Sequence, residues 1–233
     1  PPRVPAQNLP PSLPPVWFWP STDADHRCAQ GAPAGFYNET CSARQDYIIV
    51  ADNSDSVGDS FDNITSFMHA FIDQLDYASG GPRLAIITFS GPPIGQGRNW
   101  AYDPRQATNT LIDFSDDTRR LHSAVRTRAL SYGMTCISCG IDVAADMIRA
   151  SSRFGVAEPV VILLTDGEQT VGGTSQRAID SAIAMRSTEN VKFFGVSFQT
   201  VAGNPEAMQA MVTPPHEVHF MVRPPHERVS TTA

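Results

Sequence analysis

Positive charge is scarce in this chain: 17 Lys and Arg stand against 24 Asp and Glu in 233 residues, for a formal charge of −7. An acidic surface neutralises phosphates poorly, and no Lys/Arg stripe interrupts it, so the sequence reads as having no nucleic-acid partner. Long apolar runs are also missing; none approaches the roughly 18 residues a membrane-spanning helix needs. Cysteine is sparse, with four residues in two close pairs, Cys28 with Cys41 and Cys136 with Cys139. Twelve residues separate the first pair, where zinc ligands stand two to four apart, so a four-cysteine zinc site is a weak reading. A disulfide closing the Cys28–Cys41 loop is preferred. The sequons Asn38-Glu39-Thr40 and Asn63-Ile64-Thr65 add candidate glycosylation at Asn38 and Asn63. Together these features point to a secreted or cell-surface protein.

Residues 1–44 show neither helical nor strand periodicity. Pro1, Pro2, Pro5, Pro10, Pro11, Pro14, Pro15 and Pro20 make the opening an extended, polyproline-II-like segment. Its aromatic cluster Val16-Trp17-Phe18-Trp19 must be buried, either on its own domain or on an assembly partner of residues 1–20. From residue 45 to 223 the chain alternates strands and helices, and 224–233 reads as a C-terminal tail. Pro1 at the start and Ser-Thr-Thr-Ala at the end read as a fragment or a processed chain.

The six expected strands begin with the IIVA run after Asp46 and continue with Leu84–Phe89. A short edge strand is expected at Asn99–Asp103, followed by Val160–Thr165, Val191–Phe198 and Val218–Val222. Apolar residues at three- and four-residue spacing predict a helix from Phe61 to Leu75 that ends near Gly80-Gly81. Further helices are expected from Ser115-Asp116-Asp117 toward Leu130, over Cys136–Ala150, over Ser175–Ser187 and over Pro205–Val212. This order implies an α/β fold: a doubly wound, Rossmann-like, mostly parallel six-stranded sheet with one short antiparallel edge strand and helices on both faces.

In such sheets ligands bind beyond the carboxyl ends of the strands. Asp52, Ser54 and Ser56 follow the first strand, Thr135 lies in a Gly-Met-Thr loop, and Asp166 ends VVILLT. Carboxylates and hydroxyls together suit a hard cation. Taken alone, the first cluster reads equally as an Asx/Ser turn capping a helix.

Taken with the other two, the pattern resembles a von Willebrand factor type A domain carrying a metal-ion-dependent adhesion site of the integrin I-domain kind. That site consists of D-x-S-x-S, a lone Thr, then Asp in a T-D-G turn. Thr135 follows Asp52 by 83 residues and Asp166 follows Thr135 by another 31. The resemblance covers about Gln45 to Val222. It implies that Ser54, Ser56 and Thr135 coordinate Mg²⁺, or Ca²⁺ or Mn²⁺, through hydroxyls. Asp52 and Asp166 would act mainly through water or as outer partners, and an acidic side chain of a protein or matrix ligand would complete the shell. It implies no catalysis.

Asp55 and Glu168 add acids beside the expected site, and Asp59 and Asp62 could hold a second cation, although a helix start rich in acids is the plainer account. Integrin-type domains end in a long switching helix; here Arg223-Pro224-Pro225 follows the last strand and the sequence stops at Ala233, so that helix reads as short, absent or cut away. Cys136 and Cys139 read as buried thiols or as a local disulfide stiffening the metal loop. Zinc at His216, His219 and His226 is disfavoured because an odd separation on a strand places side chains on opposite faces. Two other functions compete with adhesion. One is a structural component of an extracellular filament, coat or matrix, held by its aromatic tail and carrying a vestigial metal site. The other is phosphoryl transfer with Asp52 as nucleophile, which would expect a second acid where Ser54 stands.

Overall fold

The computed structural model describes residues 44–77, 80–95, 100–166, 168–198, 205–216 and 220–222. The Cys28–Cys41 loop, Asn38, the aromatic tail, His219, His226 and the segment 224–233 lie outside the described residues.

β1 (Gln45–Asp52) is buried along nearly its whole length, as an unbroken apolar run demands when both faces of a sheet are covered. It pairs in parallel with β2 (Arg83–Phe89) on one side and with β4 (Glu158–Thr165) on the other. β5 (Lys192–Ser197) and β6 (Phe220–Val222) extend the β4 side in parallel. β3 (Thr108–Ser115) closes the β2 edge as the antiparallel strand. The order β3-β2-β1-β4-β5-β6 places the topological switch between β1 and β4, so the two loops leaving those strands diverge and open a crevice at the carboxyl rim.

Three expected boundaries are corrected. The expected edge strand at Asn99–Asp103 is not formed over its described residues, 100–103; the edge strand is Thr108–Ser115 and runs eight residues. Its polar, half-exposed sequence TNTLIDFS, with register shifts against β2, lacks the apolar signature that marked the central strands. The first helix, α1 (Phe61–Gln74), ends before Gly80-Gly81, because Leu75 already turns extended. The helix expected toward Leu130 stops at Arg126, and Asp55–Ser60, between Asp52 and α1, winds into a 3-10 turn.

α2 (Thr118–Arg126) starts where Asp117 accepts hydrogen bonds from the amides of Arg119 and Arg120. α3 (Ile137–Ala150) presses its Ile137, Ile141, Ala144 and Ile148 into the core with Val50, Ile87 and Phe89. A side chain at Gly140 would meet Val50 at 2.7 Å and Phe89 at 2.9 Å, so glycine there sets how closely α3 approaches the sheet. α4 (Ser175–Thr188) and α5 (Pro205–Met211) complete the helical cover. At the foot of the sheet, opposite the rim, Asp46 pairs with Arg83 and Lys192 pairs with Glu158 at 2.6 Å.

One contact between helices carries a pH signature. His69 on α1 and His122 on α2 approach Nδ1 to Nδ1 at 2.7 Å, and His122 Nε2 lies 2.9 Å from Asp73 Oδ1. One hydrogen on each ring satisfies this chain: His69 Nδ1–H donates to His122, and His122 Nε2–H donates to Asp73. Burial first, then the neighbouring His122 and Arg126, push the His69 pKa below its ordinary value of 6.5, against the pull of Asp73. The unfolded chain therefore takes up this proton first as pH falls, and stability declines from about the ordinary value downward. Thermal melts on either side of that pH should show the decline in the wild type and a flatter profile in His69→Gln; equal slopes would refute it.

Candidate functional site

Each strand end at the rim contributes one part of the site. Asp52, fully buried at the end of β1, accepts from the Ser54 amide through Oδ1 at 2.8 Å and from the Thr165 hydroxyl through Oδ2 at 2.6 Å. The register explains the second bond, because Ala51 stands opposite Leu164 in the parallel ladder and brings Asp52 beside Thr165. Burial pushes the Asp52 pKa up to about 6, with Asp166 adding a small rise, while the bonds from Thr165 and Ser54 pull it down. An opposing positive charge would remove that penalty.

From Asp52 the donors form one string. The Ser54 and Ser56 hydroxyls lie 3.0 Å apart, and the Ser56 hydroxyl donates to Asp166 Oδ1 at 3.0 Å. Four of the five expected residues are thus linked across the switch between β1 and β4. Ser54 and Asp166 are buried, whereas Ser56 reaches the surface.

The fifth, Thr135, enters on the loop before α3. Gly133 of that loop accepts from the Asp55 amide at 3.0 Å, which fastens the loop to the β1 turn. A side chain at Gly133 would sit 2.4 Å from the Gly91 carbonyl, so only glycine permits this approach. Thr135 itself is held through its main chain. Its amide donates to the Thr170 hydroxyl at 2.9 Å, and its carbonyl accepts from the amides of Thr170 and Val171 at 2.9 and 3.2 Å. Buried Gln169 ties the same two loops together by accepting from the Ser138 amide and donating to the Thr174 carbonyl.

Cys136 and Cys139 form a disulfide directly behind Thr135. This settles the open alternative against free thiols and removes both residues as zinc ligands. They pack with Ala107 and Val171, and with the partly buried Trp100, Tyr102 and Met134, in a small apolar cluster that backs the loop. Asp55 and Glu168 are exposed at the rim, and Asp59 and Asp62 are exposed around the start of α1. Asn63 is half-buried on the first turn of α1, and the Thr65 hydroxyl of its sequon donates to the Phe61 carbonyl. His216 is exposed after α5.

The sequence reading missed Arg128. It is buried, and it threads between α1 and the β1 turn. Its Nε donates to Asn53 Oδ1 at 2.6 Å and its Nη2 to the Asp52 carbonyl at 2.5 Å. Nη1 reaches the Phe61 carbonyl and the Thr65 hydroxyl, and the guanidinium lies 4.0 Å over the Phe61 ring. Burial draws its pKa down to about 10, which leaves it charged at neutral pH. No local pattern marks this arginine in the sequence, because all its partners lie more than sixty positions away. Asn53 owes its place to this arginine and to the Ala129 carbonyl.

The chemistry of the donor set can be judged directly. Among the described residues no three His, Cys, Asp or Glu side chains gather in a metal cluster. The rim offers hydroxyls at Ser54, Ser56 and Thr135 and carboxylates at Asp52 and Asp166. An all-oxygen set rich in hydroxyls fits Mg²⁺, Ca²⁺ or Mn²⁺ and suits softer ions poorly.

Residues 46–229 match the family model of the von Willebrand factor type A domain. Among solved structures, proximal thread matrix protein 1 from the mussel byssus superposes with a TM-score of 0.62 at 17% identity, covering 78% of this chain and 42% of that one. A further structure of the mussel protein is described as having a zinc-occupied MIDAS motif. The pilus adhesin SpaC of Lactobacillus rhamnosus GG gives 0.61 at 13% identity, covering 77% of this chain and 28% of its own. The corresponding domain of the type V pili tip protein Mfa5 from Porphyromonas gingivalis gives 0.60 at 13% identity, covering 79% and 90%. The match spans less than half of the mussel protein and of SpaC. At these identities the structural likenesses establish the fold alone.

Proposed function

The chain belongs to the von Willebrand factor type A family, and from that premise we propose that it is an extracellular adhesion or assembly module that binds a protein or matrix ligand through a divalent cation. The observation that carries this reading is the hydrogen-bonded string Thr165–Asp52–Ser54–Ser56–Asp166 across the β1/β4 switch, with the Thr135 loop fastened beside it. Ser54, Ser56 and Thr135 would hold the ion by their hydroxyls, and Asp52 and Asp166 would orient them and balance charge. When bound, Mg²⁺ supplies a Lewis-acidic position that a ligand carboxylate can fill. Few direct protein carboxylates leave the ion short of negative charge, which favours an acidic side chain from outside.

A binding module accounts for Asp52 better than an enzyme does. Both of its oxygens accept hydrogen bonds and it has no solvent exposure, so it is poorly placed to attack a phosphoryl group. The Cys136–Cys139 disulfide fits an oxidising compartment, and no helix among the described residues is long and apolar enough to cross a membrane.

The test is to pan a phage-displayed random peptide library on the immobilised domain in Mg²⁺. Clones rich in Asp or Glu should be retained and then released by EDTA. Retention unchanged by EDTA, or turnover of a generic phosphate ester, would overturn the reading.

A further inference from the structure

The segment around Tyr132 is laced to its neighbours on both sides, yet its side chain is bare. Ser131 donates to the Asn53 carbonyl through its amide at 3.0 Å and its hydroxyl at 2.8 Å, and Gly133 accepts from Asp55. Between these anchors Tyr132 takes φ +52°, a left-handed conformation that a bulky residue rarely adopts. Its side chain is 66% exposed, so the conformation is imposed by the main-chain anchors and is not rewarded by burial of the ring.

A second exposed residue flanks the same pair of loops. Pro93 and Gly133 form an antiparallel bridge, and the Met134 amide donates to the Pro92 carbonyl. Ile94 and Tyr132 are the residues next to the two bridge partners, on the side of the bridge away from Met134. Ile94 is also 66% exposed. Two of the five exposed large hydrophobic residues among the described residues therefore flank one bridge, on the loop that carries Thr135 and the loop laced to it. Asp55 and Glu168 add two exposed acids to the same rim.

Resting on the cation-binding reading above, we propose that Tyr132 and Ile94 are specificity-determining residues of the ligand surface, and that the partner is a protein segment whose ion-seeking carboxylate adjoins an aromatic or branched aliphatic side chain. The ion takes the acid, the Tyr132/Ile94 pair covers the apolar neighbour, and Asp55 and Glu168 repel a second acid beside the first. The acidic rim alone would instead select a basic neighbour, so the two explanations predict different peptides.

The experiment uses a phage-displayed library with a fixed central Asp and randomised flanks, panned on the full chain in Mg²⁺. Aromatic and branched aliphatic residues should be enriched beside the Asp. Tyr132→Asn, which tolerates a positive φ, and Ile94→Ser should weaken the selected peptides by roughly tenfold or more while leaving Mg²⁺ affinity unchanged. Mg²⁺-dependent binding with no flank preference, or with Lys and Arg enriched, would overturn this proposal while leaving the cation reading intact. Failure of every Asp peptide to bind in Mg²⁺ would overturn both.

Discussion

Thr135→Ala is expected to lower divalent-cation affinity by at least about 10- to 100-fold, the range for loss of an outer partner of a metal ligand, because a direct ligand is removed. The substitution is clean because the loop does not hang on the hydroxyl. Thr135 is fixed by its amide to Thr170 and by its carbonyl to Thr170 and Val171, and those bonds survive alanine. Calorimetric titration with Mg²⁺ should therefore show weakened binding while the melting temperature without metal stays near that of the wild type. Full Mg²⁺ affinity in the variant would remove Thr135 from the site. Loss of folding instead would mean that the hydroxyl is a structural prop.

Arg128→Ala should have the larger effect on the fold. Alanine strands Asn53 Oδ1, takes a donor from the Asp52 carbonyl and leaves a void over the Phe61 ring, while the Phe61 carbonyl keeps the Thr65 hydroxyl. Unsatisfied buried groups cost about 1–3 kcal/mol each and do not add fully, so a loss of about 3–5 kcal/mol is expected. In a domain of this size that is a fall of roughly 10 °C in melting temperature. The damage reaches the rim, because Arg128 fixes the carbonyl of Asp52 and the side chain of Asn53, the two residues preceding Ser54. Arg128→Lys retains a charge but not the planar fork, and it should recover only part of the stability. An alanine variant at wild-type stability would show that the arginine contributes nothing to the fold.

Much of this was legible in the sequence for a physical reason. Strands buried on both faces, such as Tyr47–Ala51 and Val160–Leu164, advertise themselves as unbroken apolar runs, and the residue after such a run is by construction at the rim. Asp52 and Asp166 were visible in that way, and Thr135 through the resemblance to the family's three-part motif. What escaped was non-local or half-exposed. β3 alternates weakly because it is an edge, and the 3-10 turn at Asp55–Ser60 carries no period of its own. Arg128, Gln169 and Thr170 act through partners that only the folded topology brings near. The question of what Asp55 does at the site also shifts. Its amide is committed to Gly133, so its backbone serves the fold while its exposed side chain is left to influence what approaches.

The ion pair of Lys192 with Glu158 has a practical meaning. Lys192 is the chain's one lysine, and it begins β5 at the end of the sheet away from the rim. Any linkage made through an ε-amine, on a sensor chip or by an enzyme that joins lysines, would hold the domain by its base. The rim would then point outward, so every molecule tethered in that way would present the same face to what flows past.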